Sequence, residues 1–203
     1  MTWIWTALVA AAAAGLASRF LPRVALEPTT KLIGTVPRAA ILGAGVGLIT
    51  SDLLEAATLA VIAGLAGVLF VVDLKEHRLP DTVILTALIV WAIGLVAMAA
   101  TTGDWGALLR AFLAMLAMFA GFFVAALLAK GMLGFGDVKL SALLGAVLGW
   151  YSWMAVGRGL FFGIVLHGLF AVVVLIVTRD RKADVPMGPA LIAGAAAAIA
   201  ISA

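Results

Sequence analysis

Apolar residues run through this chain in long blocks separated by short polar stretches, and the blocks show no barrel pattern. Eight can be drawn, at about 2–18, 33–51, 54–72, 82–100, 107–129, 138–155, 159–177 and 188–203. Each is close to the ~20 residues a helix needs to cross the hydrocarbon core of a bilayer. Lipid offers the backbone no hydrogen-bond partners, so spanning segments without a barrel pattern must be helices. The pattern predicts an all-α polytopic membrane protein of about eight transmembrane helices. The second block, with Pro37 and Arg38 near its start, and the last, short and alanine-rich, are the least regular.

The polar stretches predict an orientation. Arg19, Arg23, Lys31 and Arg38 follow the first block, Lys75 and Arg78 the third, Lys130 and Lys139 the fifth, and Arg179, Arg181 and Lys182 the seventh. These are 11 of the 13 basic residues, all on one side of the eight-span arrangement. The opposite loops carry Asp52, Glu55 and Asp104, with Arg110 and Arg158 as their only bases. Basic loops stay cytoplasmic, which predicts an outside N-terminus and a plasma or inner membrane location. The first block lacks a basic n-region and its positive charges come after it, which favours a retained helix over a cleaved signal peptide.

Composition agrees with this solvent. The chain is 66% hydrophobic and 11% charged, against about half and a quarter in soluble domains. The longest polar stretch, about 19–38, is too short to fold alone. The net charge of +3 follows from the positive-inside bias and calls for no nucleic acid. The absence of cysteine excludes disulfides, thiol proteases and Cys-ligated metals. Trp3, Trp5, Trp105, Trp150 and Trp153 fall near the outer ends of spans, as an interfacial belt predicts.

Two acids are unusually placed. Asp73 directly follows the apolar run VLFVV, and Asp137 opens the sixth block inside GFGDVKL. Both fall at the basic face, at the ends of apolar helices, where an ionisable residue is a functional candidate. Read singly, Asp137 also fits a helix N-cap, and Asp73 a solvated helix-end charge. Two nearby aspartates cannot both ionise cheaply, so such a pair shares a proton. One member can then act as base toward water and the other as acid toward a peptide carbonyl or leaving amine. Gly134 and Gly136 allow close approach, and Gly136 also permits a turn that aims Asp137 inward. A helix N-terminus favours the ionised form of Asp137, whereas burial favours the neutral one.

The residues then show a resemblance. GFGDVKLSALLGAVLGW resembles the second aspartate motif of the type IV prepilin peptidases, and VVDLKEHRLPDTVILTAL, residues 71–88, resembles their first. VPMGPAL, residues 185–191, is similar to the entry of their terminal helix. The match runs in order from about 53 to 192. It implies residues 1–52 as two N-terminal helices with a short basic loop, and 53–203 as a six-helix catalytic core with a GxGD aspartyl protease bundle. It implies an aspartic endopeptidase that removes the basic leader from pilin-like precursors, working beside the lipid bilayer at the cytoplasmic face. Asp73 and Asp137 match the family's catalytic aspartates. Gly134, Gly136, Lys139 and Pro189 are the supporting or substrate-binding candidates, and no metal or cofactor is expected. The cysteine-containing methyltransferase domain of many members has no counterpart in SRFLPRVALEPTTKLIGTVPRAA.

Lesser candidates have simpler roles. Lys139 orients Asp137, contacts a substrate carbonyl, or serves as a positive-inside anchor. Lys75 and Arg78 are topology charges, His77 a loop histidine and Asp81 an N-cap. His167 is expected to hydrogen-bond a neighbouring helix. Pro189-Ala190-Leu191 is also similar to the PAL motif of presenilin-like proteases, which share the aspartate-plus-GxGD plan; a proline opening a helix is otherwise ordinary. Presenilin or signal-peptide-peptidase type cleavage is the first alternative, but Val72 stands where its tyrosine is expected. A proton-coupled transporter is the second; it predicts inverted repeats and midplane acids, neither of which is apparent.

Overall fold

The computed structural model describes residues 2–20, 50, 52–129, 133–180 and 185–202. These form seven helices: α1 (Thr2–Phe20), α2 (Leu53–Glu76), α3 (Asp81–Thr102), α4 (Trp105–Leu128), α5 (Phe135–Tyr151), α6 (Trp153–Thr178) and α7 (Gly188–Ser202). No strand occurs among the described residues. Four helices, α2, α3, α4 and α6, are long and apolar enough to cross a membrane. The expectation of about eight spans exceeds this number. α1, α5 and α7 have 19, 17 and 15 residues, and nearly all of the block at 33–51 lies outside the described residues.

Local chemistry sets the helix ends. Asp52 accepts the Glu55 N–H at 2.8 Å to open α2, and Asp104 accepts the Ala107 N–H at 2.8 Å to open α4. Such caps satisfy amides that have no partner inside the helix. α3 closes on Gly103 at φ 77°, a left-handed position that glycine enters without a Cβ penalty. The sixth and seventh blocks divide earlier than the hydropathy pattern indicates. The break is at Ser152, extended at φ −170° and ψ 163°, whose hydroxyl accepts the Ala155 N–H at 3.0 Å. A serine cap outweighs the apolar continuity around it, so Gly157 and Arg158 belong to the interior of α6 rather than to a loop.

The short connections put α2, α3, α4 and α5 in an up-and-down order. Residues 77–80, the end of α4, the start of α5, the end of α6 and the start of α7 lie at one end of the bundle, and Gly103, Asp104 and Ser152 at the other. α5 packs closely on α4 through Gly145 and Gly149, where an added Cβ would meet Ala114 and Met118 at 2.6–2.9 Å. Small residues that bring backbones together are the usual basis of helix association in lipid. α6 leans on α7 in the same way at Gly159, Gly163 and Gly194. The rest of α6 is open, with Ile164, Val172, Val173 and Ile176 exposed, as a lipid-facing surface requires.

α2 and α5 hardly touch each other directly. α7 packs against both, and so does α3. The core between them holds Leu69, Val72, Trp91, Leu140, Leu143 and Leu191, all buried.

Candidate active site

Asp73 stands in the last turn of α2 and is only 5% exposed. Its backbone carbonyl accepts the His77 N–H at 3.0 Å, and His77 closes the helix in the left-handed conformation at φ 50°. Its side chain meets the first residue of α7: the Gly188 N–H donates to Asp73 Oδ2 at 3.0 Å in a buried bond. A Cβ on Gly188 would lie 2.7 Å from that oxygen and 3.4 Å from Leu140 Cδ2. Glycine is therefore the residue that lets the start of α7 wedge between α2 and α5.

Asp137 lies one turn before Leu140, in the opening turn of α5 and ahead of the apolar run that starts at Val138. Its N–H bonds to the Gly134 carbonyl at 3.1 Å. Its Oδ1 is buried and has no hydrogen-bond partner among the described residues. Burial first, and the negative charge of Asp73 second, push the Asp137 carboxyl up from 3.8 to about 7. The charge of Asp73 thus acts on Asp137 although their helices barely meet.

The supporting candidates divide. Gly134 is the N-cap of α5, and an added Cβ would lie 3.3 Å from Asp137 Oδ2, so its bareness makes room for the carboxylate itself. Gly136 is helical and makes no special turn; a Cβ there would meet Leu79 Cβ at 2.9 Å, so it admits the α2–α3 connection. Lys139 pairs with Asp81 at 2.6 Å and lies 5.0 Å from the centre of the Phe135 ring, rather than on Asp137. Asp81 is correspondingly the first residue of α3 and an ion-pair partner; Pro80 is in the N-cap position. Pro189 is buried in the opening turn of α7, next to Gly188. His167 Nδ1 is buried in α6 without a partner among the described residues, so the expected interhelical bond is not made there.

Three features escaped the sequence reading. Gly188 is visible in it only as a glycine before the proline of VPMGPAL. Arg110, counted above as an outer-loop charge, reaches from α4 to the end of α5: Nε donates to the Gly149 carbonyl at 2.8 Å and a terminal nitrogen to Trp150 at 2.6 Å. Tyr151 at that same end donates to Glu55 of α2 at 2.7 Å. The helices carrying the two aspartates are thus tied at the far end of the bundle.

Among the described residues, no cluster of three or more His, Asp or Glu side chains is arranged to hold a metal ion. At one end of the helical bundle are two carboxyls, one accepting a backbone N–H and the other pushed up by burial. This defines a helical protein with a carboxyl-pair site at the end of long apolar helices. The chain belongs to the type IV leader peptidase family, whose model matches residues 60–200 and so takes in both aspartates and all of α3 to α6. It is a peptidase of the membrane, by family and by its apolar helices. No curated protein and no solved structure matches the chain.

Proposed function

We propose that the chain is an aspartyl endopeptidase that cuts the basic leader from pilin-like precursors, prepilins or pseudopilins, at the cytoplasmic membrane face. The observation that carries this reading is that Asp73 closes α2 and Asp137 opens α5 at the same end of the bundle, with the Asp137 carboxyl pushed up by burial and by the charge of Asp73. A carboxyl of that kind can donate a proton near neutral pH, while its ionised partner can accept one.

The roles follow from the hydrogen bonds. Asp73 accepts from the Gly188 N–H, as a carboxylate base does. It takes a proton from water as the water oxygen bonds to the carbonyl carbon of the scissile peptide. Asp137 gives its proton to the carbonyl oxygen. The tetrahedral intermediate then collapses: the C–N bond breaks and the leaving amine takes up a proton from Asp73. The diol returns a proton to Asp137, so the net change is addition of water across the peptide bond.

The cytoplasmic placement rests on the basic loops, which include Lys75, Arg78, Lys139 and Arg179 at the aspartate end. A leader rich in Lys and Arg stays on that side for the same electrostatic reason. Glycine at the cut site weakens helix locally and presents an extended bond. The test is co-expression with several pilin-like precursors, following leader loss by mass. The wild type is expected to shorten at least one of them, while Asp73→Ala and Asp137→Ala shorten none. A wild type that shortens none overturns the reading.

A further inference from the structure

Between α3, α4 and α5 lies an apolar cavity of about 490 Å³, lined by Leu85 and Leu88 of α3, Leu116 and Phe119 of α4, and Ala142 of α5. It opens because α3 and α4, though consecutive, lie largely apart, whereas α4 and α5 are closely packed. Its polar lining includes Asp81 and Lys139, the ion pair at the end of the bundle that holds the aspartates. Along α3 the lining runs from Asp81 to Leu88, about 10 Å or two turns at ~1.5 Å per residue.

We infer that this groove receives the apolar helix of the substrate, two turns of the segment that follows the scissile bond. The inference rests on the leader-peptidase reading and adds where the substrate lies. Two turns of a helix place side chains at i, i+3, i+4 and i+7 along one face, the usual way a helix fills an apolar groove. Asp137 is two residues before Lys139. Both belong to the first turns of α5, so a chain leaving the groove beside Lys139 emerges at the end of α5 that carries Asp137.

Charge selects this occupant over a phospholipid. Lys139 is already engaged, by Asp81 at 2.6 Å and by the Phe135 ring at 5.0 Å. Within this ion pair the Asp81 carboxylate is the more accessible member, its side chain 68% exposed against 33% for Lys139. A lipid phosphate therefore meets no uncompensated cation in the lining, whereas the more exposed carboxylate edge suits a basic leader.

The chain has no cysteine, so introduced cysteines are unique. Leu85→Cys and Leu116→Cys report on the groove; Val173→Cys and Ile176→Cys report on the open face of α6. All four positions are exposed, which makes the substitutions mild. Each is placed in an Asp137→Asn background and oxidised with a pilin-like precursor carrying one cysteine in the first two turns of its apolar segment. Disulfide adducts at Leu85→Cys and Leu116→Cys, at least tenfold above those on α6, are expected. Adducts on α6 alone, equal adducts at all four positions, or none, as when lipid fills the groove, overturn the inference. Cleavage of the same precursor by the wild type is measured alongside. A groove that fails while cleavage succeeds refutes the docking alone, whereas a precursor that is never cut refutes the leader-peptidase reading.

Discussion

The backbone N–H of Gly188 donates to Asp73 Oδ2 at 3.0 Å, joining the first residue of α7 to an aspartate 115 positions earlier. This bond fixes the carboxylate of α2 against the helix that also packs on α5. α7 thereby bridges the two helices that carry the aspartates, which hardly touch each other.

Gly188→Ala tests the bond. Its Cβ would stand 2.7 Å from Asp73 Oδ2, so the carboxylate must move. Displacement of a reacting group by about 1 Å costs about a hundredfold in rate. The expected result is a fall in kcat of that order, with little change in KM, measured on purified enzyme and precursor. An unchanged kcat shows that the bond does not position Asp73.

The raised carboxyl of Asp137 predicts a pH dependence. Its proton is present below about 7 and lost above it. Cleavage that needs this proton falls as pH rises through 7, by about tenfold per pH unit well above it. A kcat profile between pH 5 and 9 checks this, and a rate still rising to pH 9 contradicts the acid role of Asp137.

Arg110 is predicted to be structural. It satisfies the carbonyls of Gly149, Trp150 and Tyr151 at the end of α5. Hydrogen bonds from a charged group contribute about 1.5–3 kcal/mol, so Arg110→Ala should lower thermal stability in detergent by that order. Arg110→Lys should restore only part, because an ammonium lacks the planar fork that spans several acceptors. Full recovery with Lys argues for charge alone.

The Lys139–Asp81 pair should matter little for stability. With side-chain exposures of 33% and 68%, it belongs to the class of surface pairs worth about 0–1 kcal/mol. Lys139→Met is expected to shift the thermal midpoint in detergent only slightly. A loss of several kcal/mol would mean that the pair is a fold determinant.

Much of this was legible in the sequence, because lipid imposes a coarse rule. Long apolar blocks must be helices, and the blocks at 54–72, 82–100 and 107–129 appear as α2, α3 and α4 with ends shifted by a few residues. The position of Asp73 and Asp137 at one end of the bundle follows from that order. What hydropathy cannot carry is polar detail. Ser152 is a single residue in an apolar stretch, yet its hydroxyl ends one helix and starts another. Arg110 counts as a loop charge until its guanidinium is seen on α5. Lys139 stands near Asp137 in sequence, but residues two apart on a helix face different ways, and it meets Asp81 instead. Gly188 was hidden because its role is a missing Cβ, which has meaning only once the neighbours at that point are known.

The central claim is that Asp73 and Asp137 act together on a peptide bond. Purified wild type, Asp73→Asn and Asp137→Asn, each folded as judged by thermal unfolding in detergent, are assayed on one pilin-like precursor, and the new N-terminus is read by mass spectrometry. The account predicts cleavage after a glycine at the end of the basic leader by the wild type, and loss of about a hundredfold to ten-thousandfold in each variant. Cleavage at the wild-type rate by either variant would contradict it.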